Sequence, residues 1–430
     1  MKNVTIHFLL PIIVFLSFCC NGQTQSVFER YFRSQTLRID YQLAGDISHT
    51  DVYFQQMKMV DGWPGSRVNL LDTFQYGTFK AVVRDAASGR EIYSRGFSTL
   101  YQEWLTTAEA KKRQRSFPGV TCVPFPKGKV VFELYQRNRM LQYQKIFTLP
   151  VDPEDYFILK ETVIPGQTDT LHYSGDPAVH LDIAILAEGY TREEIPLFFS
   201  DAHRLGDTLL HTPPYDRYGN KINIFAIGTA SEERGPDIPG EGIYRNTLFS
   251  STFYTFDLAR YLTISDLPAV YDHLAGSPAD QVIILVNSER YGGGGIFNYI
   301  TVCSARNVLS PQVLVHEFGH AFAGLGDEYY NTSVVYENFY NREVEPWEPN
   351  LTTLVHFETK WKDMIAPDTP IPTPDIPENY NKVGVYEGGG YVAEGVYRPY
   401  HDCLMKSNET RDFCPVCQRA ITRMIMFYAR

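Results

Sequence analysis

Cysteine is scarce in this chain: seven among 430 residues, two of them adjacent at Cys19 and Cys20. The other five are Cys122, Cys303, Cys403, Cys414 and Cys417, an odd number, which excludes a fully paired internal disulfide framework. Cys414-Pro-Val-Cys417 has the spacing of half a zinc ribbon, but no second Cys-x-x-Cys exists, which argues against a structural zinc there. For an exported chain a disulfide from Cys403 to Cys414 or Cys417 is a reasonable expectation, with unpaired buried thiols as the alternative. Positive charge is also short. Lys and Arg total 39 against 50 Asp and Glu, a net charge of -11, which speaks against nucleic acid as a partner. Past Cys20, no apolar run is long enough for a transmembrane helix. The glycine run Gly292-Gly-Gly-Gly295 lacks a P-loop's lysine and serine, so it reads as a flexible stretch and not as a phosphate cradle.

What is present begins with an address. Met1-Lys2-Asn3 is a short basic start, and Phe8 to Phe18 is a continuous apolar run of signal-peptide length. It ends in Leu16-Ser17-Phe18-Cys19-Cys20, which resembles a bacterial lipobox, with Phe18 where a small residue normally stands. Residues 1–20 therefore read as a signal peptide, with Cys19 or Cys20 as the lipidation candidate. That implies an extracytoplasmic protein, secreted or lipid-anchored on a bacterial membrane.

Residues 21–150 alternate apolar and polar positions in short stretches separated by turn residues. Examples are Leu37 to Leu43, the hairpin across Asp85-Ala-Ala-Ser-Gly89, and the hairpin across Gln136-Arg-Asn-Arg139. This predicts an all-β sandwich. Residues 151–179 read as a linker. From His180 the pattern becomes strand–helix alternation. Buried strands are predicted near 180–186, 221–227, 281–286 and 297–302, and a capping box, Thr191-Arg-Glu-Glu194, opens a helix. Residues 180–430 are thus predicted to form an α/β domain.

The chemistry sits in Val315-His316-Glu317-Phe318-Gly319-His320, followed by Gly324-Leu-Gly-Asp327-Glu328. Residues four apart share one face of an α-helix, so His316 and His320 can aim two imidazoles at one metal ion. Glu317 is placed to take a proton from water at that ion. Ser310 is the expected N-cap, Pro311 the first helical residue, and Gly324 and Gly326 the stop. Asp327 and Glu328 then bring carboxylates back toward the metal on a turned chain.

Downstream, Tyr386-Glu-Gly-Gly-Gly-Tyr391 and Tyr397-Arg-Pro-Tyr-His-Asp-Cys-Leu-Met405 precede a closing helix. With the zinc helix, these segments resemble the bacterial IgA metallopeptidase family, a metzincin-like group of secreted zinc peptidases with a β-rich N-terminal domain. The resemblance implies Zn2+ as cofactor, His316 and His320 as ligands, Glu317 as general base, Asp327 as third ligand, and Met405 as the methionine turn beneath the metal. The usual metzincin pattern puts its third ligand where Gly326 stands, so Asp327 and Glu328 both stay open for that role. Glu328 is expected to hold a histidine N–H if it is not the ligand. Some metzincins carry a tyrosine two residues after the methionine. Ser407 stands there, which leaves transition-state stabilisation to Tyr391, Tyr397 or His401.

The resulting expectation is an exported zinc endopeptidase acting on host or mucosal proteins, immunoglobulin-like ones among them, with the peptide added along a sheet edge. Two alternatives stand beside it: a zinc hydrolase of peptidoglycan peptides or glycopeptides, and a non-catalytic surface lipoprotein that binds glycans or a protein. The intact Glu317 argues against the second.

Overall fold

In Phe32–Asp46, Leu37, Ile39, Tyr41 and Leu43 are spaced by two and buried on one side. They share a core with Phe79, Ala81 and Val83 of Phe79–Asp85 and with Phe132 and Leu134 of Val130–Arg137. Two four-stranded sheets supply these faces. One runs Arg115–Pro126, Phe32–Asp46, His49–Asp61, Ile158–Lys160; the other runs Glu91–Phe97, Phe79–Asp85, Val130–Arg137, Tyr143–Val151. The expected sandwich is therefore present. The computed structural model describes residues 26–164, 166–330 and 339–429, so the leader with Cys19 and Cys20 lies outside the described residues.

The stretch read as a linker is more ordered than its composition suggests. Ile158–Lys160 pairs with His49–Asp61, and Gln167–His172 pairs with Ile222–Gly228, so each of its strands joins a sheet on either side.

The second part of the chain is built on a six-stranded sheet in the order Gly293–Ile296, Ile300–Ser304, Gln281–Val286, Leu181–Glu188, Ile222–Gly228, Gln167–His172. Its four inner strands are parallel and its two edge strands antiparallel. Leu181–Glu188 is buried along its whole length because both faces are covered. Ile183, Ile185 and Ala187 face the helices Ile195–His211 and Ser310–Ala323, whereas Ala184 and Leu186 face Leu267–Leu274. Thr191 and Glu194 form the expected capping box, although a single 3₁₀ turn precedes the helix proper.

The glycine run departs from expectation. Gly293–Ile296 is an edge strand, and the strand expected at 297–302 begins only at Ile300. The helix Ser310–Ala323 packs so closely on it that a Cβ at Gly295 would run into the Glu317 carbonyl. The absence of side chains here admits a helix and does not confer flexibility.

The two parts share buried groups. Val120 of the sandwich joins the core around Leu267–Leu274. The Arg38 guanidinium, 1% exposed, bridges Asp40 at 2.7 Å, Glu161 at 3.0 Å and Asp272 at 2.5 Å.

Candidate metal centre

The helix Ser310–Ala323 starts one residue away from the expected cap. Ser310 is its first residue, and its hydroxyl donates to the Ser304 carbonyl at 2.5 Å, so the N-cap position falls to Leu309. The C-terminal end is as expected: Gly324 adopts φ 65° and ψ 28°, the left-handed stop that turns the chain back.

That turn aims the imidazoles. His316 Nδ1–H donates to the Leu404 carbonyl at 2.9 Å, and His320 Nδ1–H donates to the Leu325 carbonyl at 2.5 Å. With Nδ1 protonated on both rings, each Nε2 is left with a lone pair. These two atoms lie 3.0 Å apart. Asp327 Oδ1 approaches them at 3.2 and 3.3 Å and has no hydrogen-bond partner of its own. Three acceptors thus converge on one point. Edges of about 3.3 Å are what a tetrahedral ion with bonds of about 2.0–2.1 Å would span. The donor set fits a divalent cation of the borderline N/O class.

The electrostatics say the same. Burial works against charge on His320, but Asp327 outweighs it and lifts the imidazole to about 9; His316 is raised for the same reasons. Burial likewise opposes ionisation of Asp327, yet the two imidazoles hold its carboxyl well below the usual range. The point between them favours positive charge. Glu317 is raised by burial, which the neighbouring histidines offset only in part. Its carboxylate lies within 4.8 Å of both Nε2-bearing rings' ligand atoms.

Met405 is fully buried, and its sulfur would meet a Cβ at Gly319 at 3.0 Å. The turn that holds it also supplies the Leu404 carbonyl to His316. Tyr391 is the member of the aromatic trio that reaches the centre. It sits at φ 70°, and its hydroxyl donates to Asp327 Oδ2 at 2.5 Å. The other two are elsewhere. Tyr397 pairs through its backbone with Thr352, and His401 donates from Nδ1 to Asp375 and stacks on Tyr380. Glu328 differs from expectation too. Both histidine Nδ1 groups are taken by carbonyls, and the Glu328 carboxylate turns away to Asn350 and Cys417. The expected disulfide is absent: all five described cysteines are free, and Cys403 Sγ lies 3.8 Å from Cys417 Sγ.

The centre opens into a cleft of about 1150 Å³ between the two parts of the chain. One wall carries His316, Glu317, His320 and Asp327; the other carries Gln102, Glu103, Gln136 and Arg137 of the sandwich. Sequence reasoning missed three groups here: Glu103, Arg260 and Tyr261. Burial pushes Glu103 up to about 7 against the pull of the Tyr261 hydroxyl, which donates to it. Arg260 lies over the Tyr329 ring and bears on Glu317. No local pattern marks these residues, since each arrives from a loop or short helix far from the motif.

The family model of IgA Peptidase M64 matches residues 170–381 and 375–425, and that of the Peptidase M64 N-terminus matches residues 27–148. The chain belongs to the IgA Peptidase M64 family. No curated protein matches it. As a member of this family the chain is a peptidase, and a protein or peptide is its substrate. The N-terminal match falls on the β sandwich, and the peptidase match contains every residue of the centre.

Proposed function

We propose that the chain is an exported zinc endopeptidase that cleaves host or mucosal proteins, immunoglobulin-like ones among them. The observation that carries this reading is the convergence of His316, His320 and Asp327 beside Glu317 in the cleft. These three residues would hold the zinc. When bound, zinc supplies Lewis acidity toward water and toward the scissile carbonyl. Glu317 accepts the proton of the attacking water and returns it to the leaving amine. Its burial suits it to that task, because a raised pKa makes a better base at neutral pH. Tyr391 fixes Asp327 through Oδ2 and leaves Oδ1 for the metal. Arg260, which lines the cleft and bears on Glu317, would offset charge developing on the carbonyl oxygen.

The substrate backbone would run beside the edge strand. Leu262 N already donates to Gly293 O, and Ser98 N to Phe297 O, so between them the outward backbone groups of Gly295 remain for pairing with a peptide. Export rests on the apolar leader.

The test is digestion of casein and a peptide library by the full chain, before and after chelation and zinc restoration. Cleavage should vanish with chelator and return with zinc. Chelator-resistant binding of glycans with no cleavage of any peptide would instead favour a surface binding module, and cleavage confined to peptidoglycan peptides would favour a wall hydrolase.

A further inference from the structure

One residue beyond Asp327, the chain sends a second carboxylate in the opposite direction. Glu328 is fully buried, and it ends among three cysteines. We propose that Cys403, Cys414, Cys417 and Glu328 form a second metal site, structural in role, for a thiophilic divalent ion of the zinc class.

The geometry is that of a four-coordinate site. The four donor atoms all lie within 4.8 Å of one another. Cys403 Sγ and Cys417 Sγ are 3.8 Å apart, and Cys417 Sγ is 3.2 Å from Glu328 Oε1. Tetrahedral zinc with Zn–S bonds of about 2.3 Å spans S···S edges of about 3.8 Å and S···O edges of about 3.5 Å. A disulfide would need sulfurs about 2.05 Å apart.

Burial supplies an independent argument. Cys403 and Cys417 are 0% exposed, Cys414 is 4% exposed, and Glu328 Oε2 has no hydrogen-bond partner. An orphaned oxygen leaves part of a buried carboxylate's charge uncompensated, and a cation held by the same carboxylate offsets that charge. The surroundings fit ligands as well. Cys414 is the N-cap of the helix Pro415–Tyr428, where its side chain makes no capping bond and the helix end favours a thiolate. Cys414 N–H points at Cys403 Sγ at 3.2 Å. Asn350 donates to Glu328 Oε1 at 2.9 Å, the outer contact expected of a ligating carboxylate. None of the four residues lines the cleft, so the site offers four protein ligands and no open position.

The site does not need a second Cys-x-x-Cys, because its other two donors are Cys403 and Glu328, both outside the Cys414–Cys417 pair in sequence. Such an ion would tie three segments together. Glu328 N donates to the Met405 carbonyl at 2.8 Å, and Leu404, between Cys403 and Met405, holds His316. The second ion would thereby fix from behind the two segments that aim His316 and Asp327.

Elemental analysis with zinc-edge X-ray absorption tests this on the full chain and on His316→Ala combined with His320→Ala. The native chain should hold about two zinc ions. The double variant should keep one, with sulfur neighbours at about 2.3 Å. Cys414→Ser combined with Cys417→Ser should lose the sulfur signal and unfold at lower temperature; if it does not fold, the double histidine variant still decides. A native chain with no zinc–sulfur scattering, or a Cys403 disulfide found by non-reducing peptide mapping, overturns the proposal. Because the histidine variant empties the first centre alone, failure of the peptidase reading and failure of this one are distinguishable.

Discussion

Glu317→Gln keeps the size of the side chain and removes its basicity. Hydrolysis should fall by at least about 100-fold with bound metal unchanged, as kcat on a reporter peptide and elemental analysis would record. Near-normal turnover in the zinc-loaded variant would remove Glu317 from the mechanism. Asp327→Ala should release the metal of this centre, whereas Tyr391→Phe, which frees only Oδ2, should weaken metal affinity by about 10–100-fold. The pH behaviour of the metal-free protein follows from His320. Its folded pKa, about 9, lies above the unfolded value of 6.5. A raised cationic pKa gives stability that is complete below about 6.5 and lost as pH rises through about 9. Thermal unfolding of the chelated protein should therefore move to lower temperature across that window. Added zinc should flatten the trend, since the ion replaces the proton.

At the level of elements, the edge strand Gly293–Ile296 sets how near the active helix can come. Gly295→Ala should destabilise by about 1–3 kcal/mol and lower kcat/KM, because the new methyl must push the Glu317 carbonyl away. A native melting curve for this variant would mean that the helix can shift freely. This same strand shows where sequence reading stops. The His-Glu-x-x-His pair was legible because both side chains are set by one local period. The glycine strand was not, because its reason is a helix packed across it. His49–Asp61 was missed because most of its side chains are half or fully exposed and leave no alternation to read. Among Tyr391, Tyr397 and His401, only the hairpin of Tyr386–Gly389 with Val392–Arg398 decides which reaches Asp327, and Tyr391 sits at its tip. Glu328 was placed on the wrong partner because nothing local announces the three thiols.

Across the whole molecule, Arg38 binds the sandwich to the α/β part. Arg38→Met leaves the buried Asp40 without its cation, while Glu161 and Asp272 keep Lys58, and should cost about 3–5 kcal/mol in urea unfolding. A loss below about 1 kcal/mol would mean that Lys58 and apolar contact hold the two parts together without Arg38. The cleft between them has a consequence for inhibition. A hydroxamate or other chelating group would engage only the wall that carries His316, His320 and Asp327, and that chemistry is common to many zinc enzymes. The opposite wall, with Gln102, Glu103 and Arg137, belongs to the sandwich and carries none of the three metal-facing residues. A compound that spans both would draw potency from one wall and selectivity from the other, and resistance substitutions would collect on the sandwich side, away from His316, His320 and Asp327.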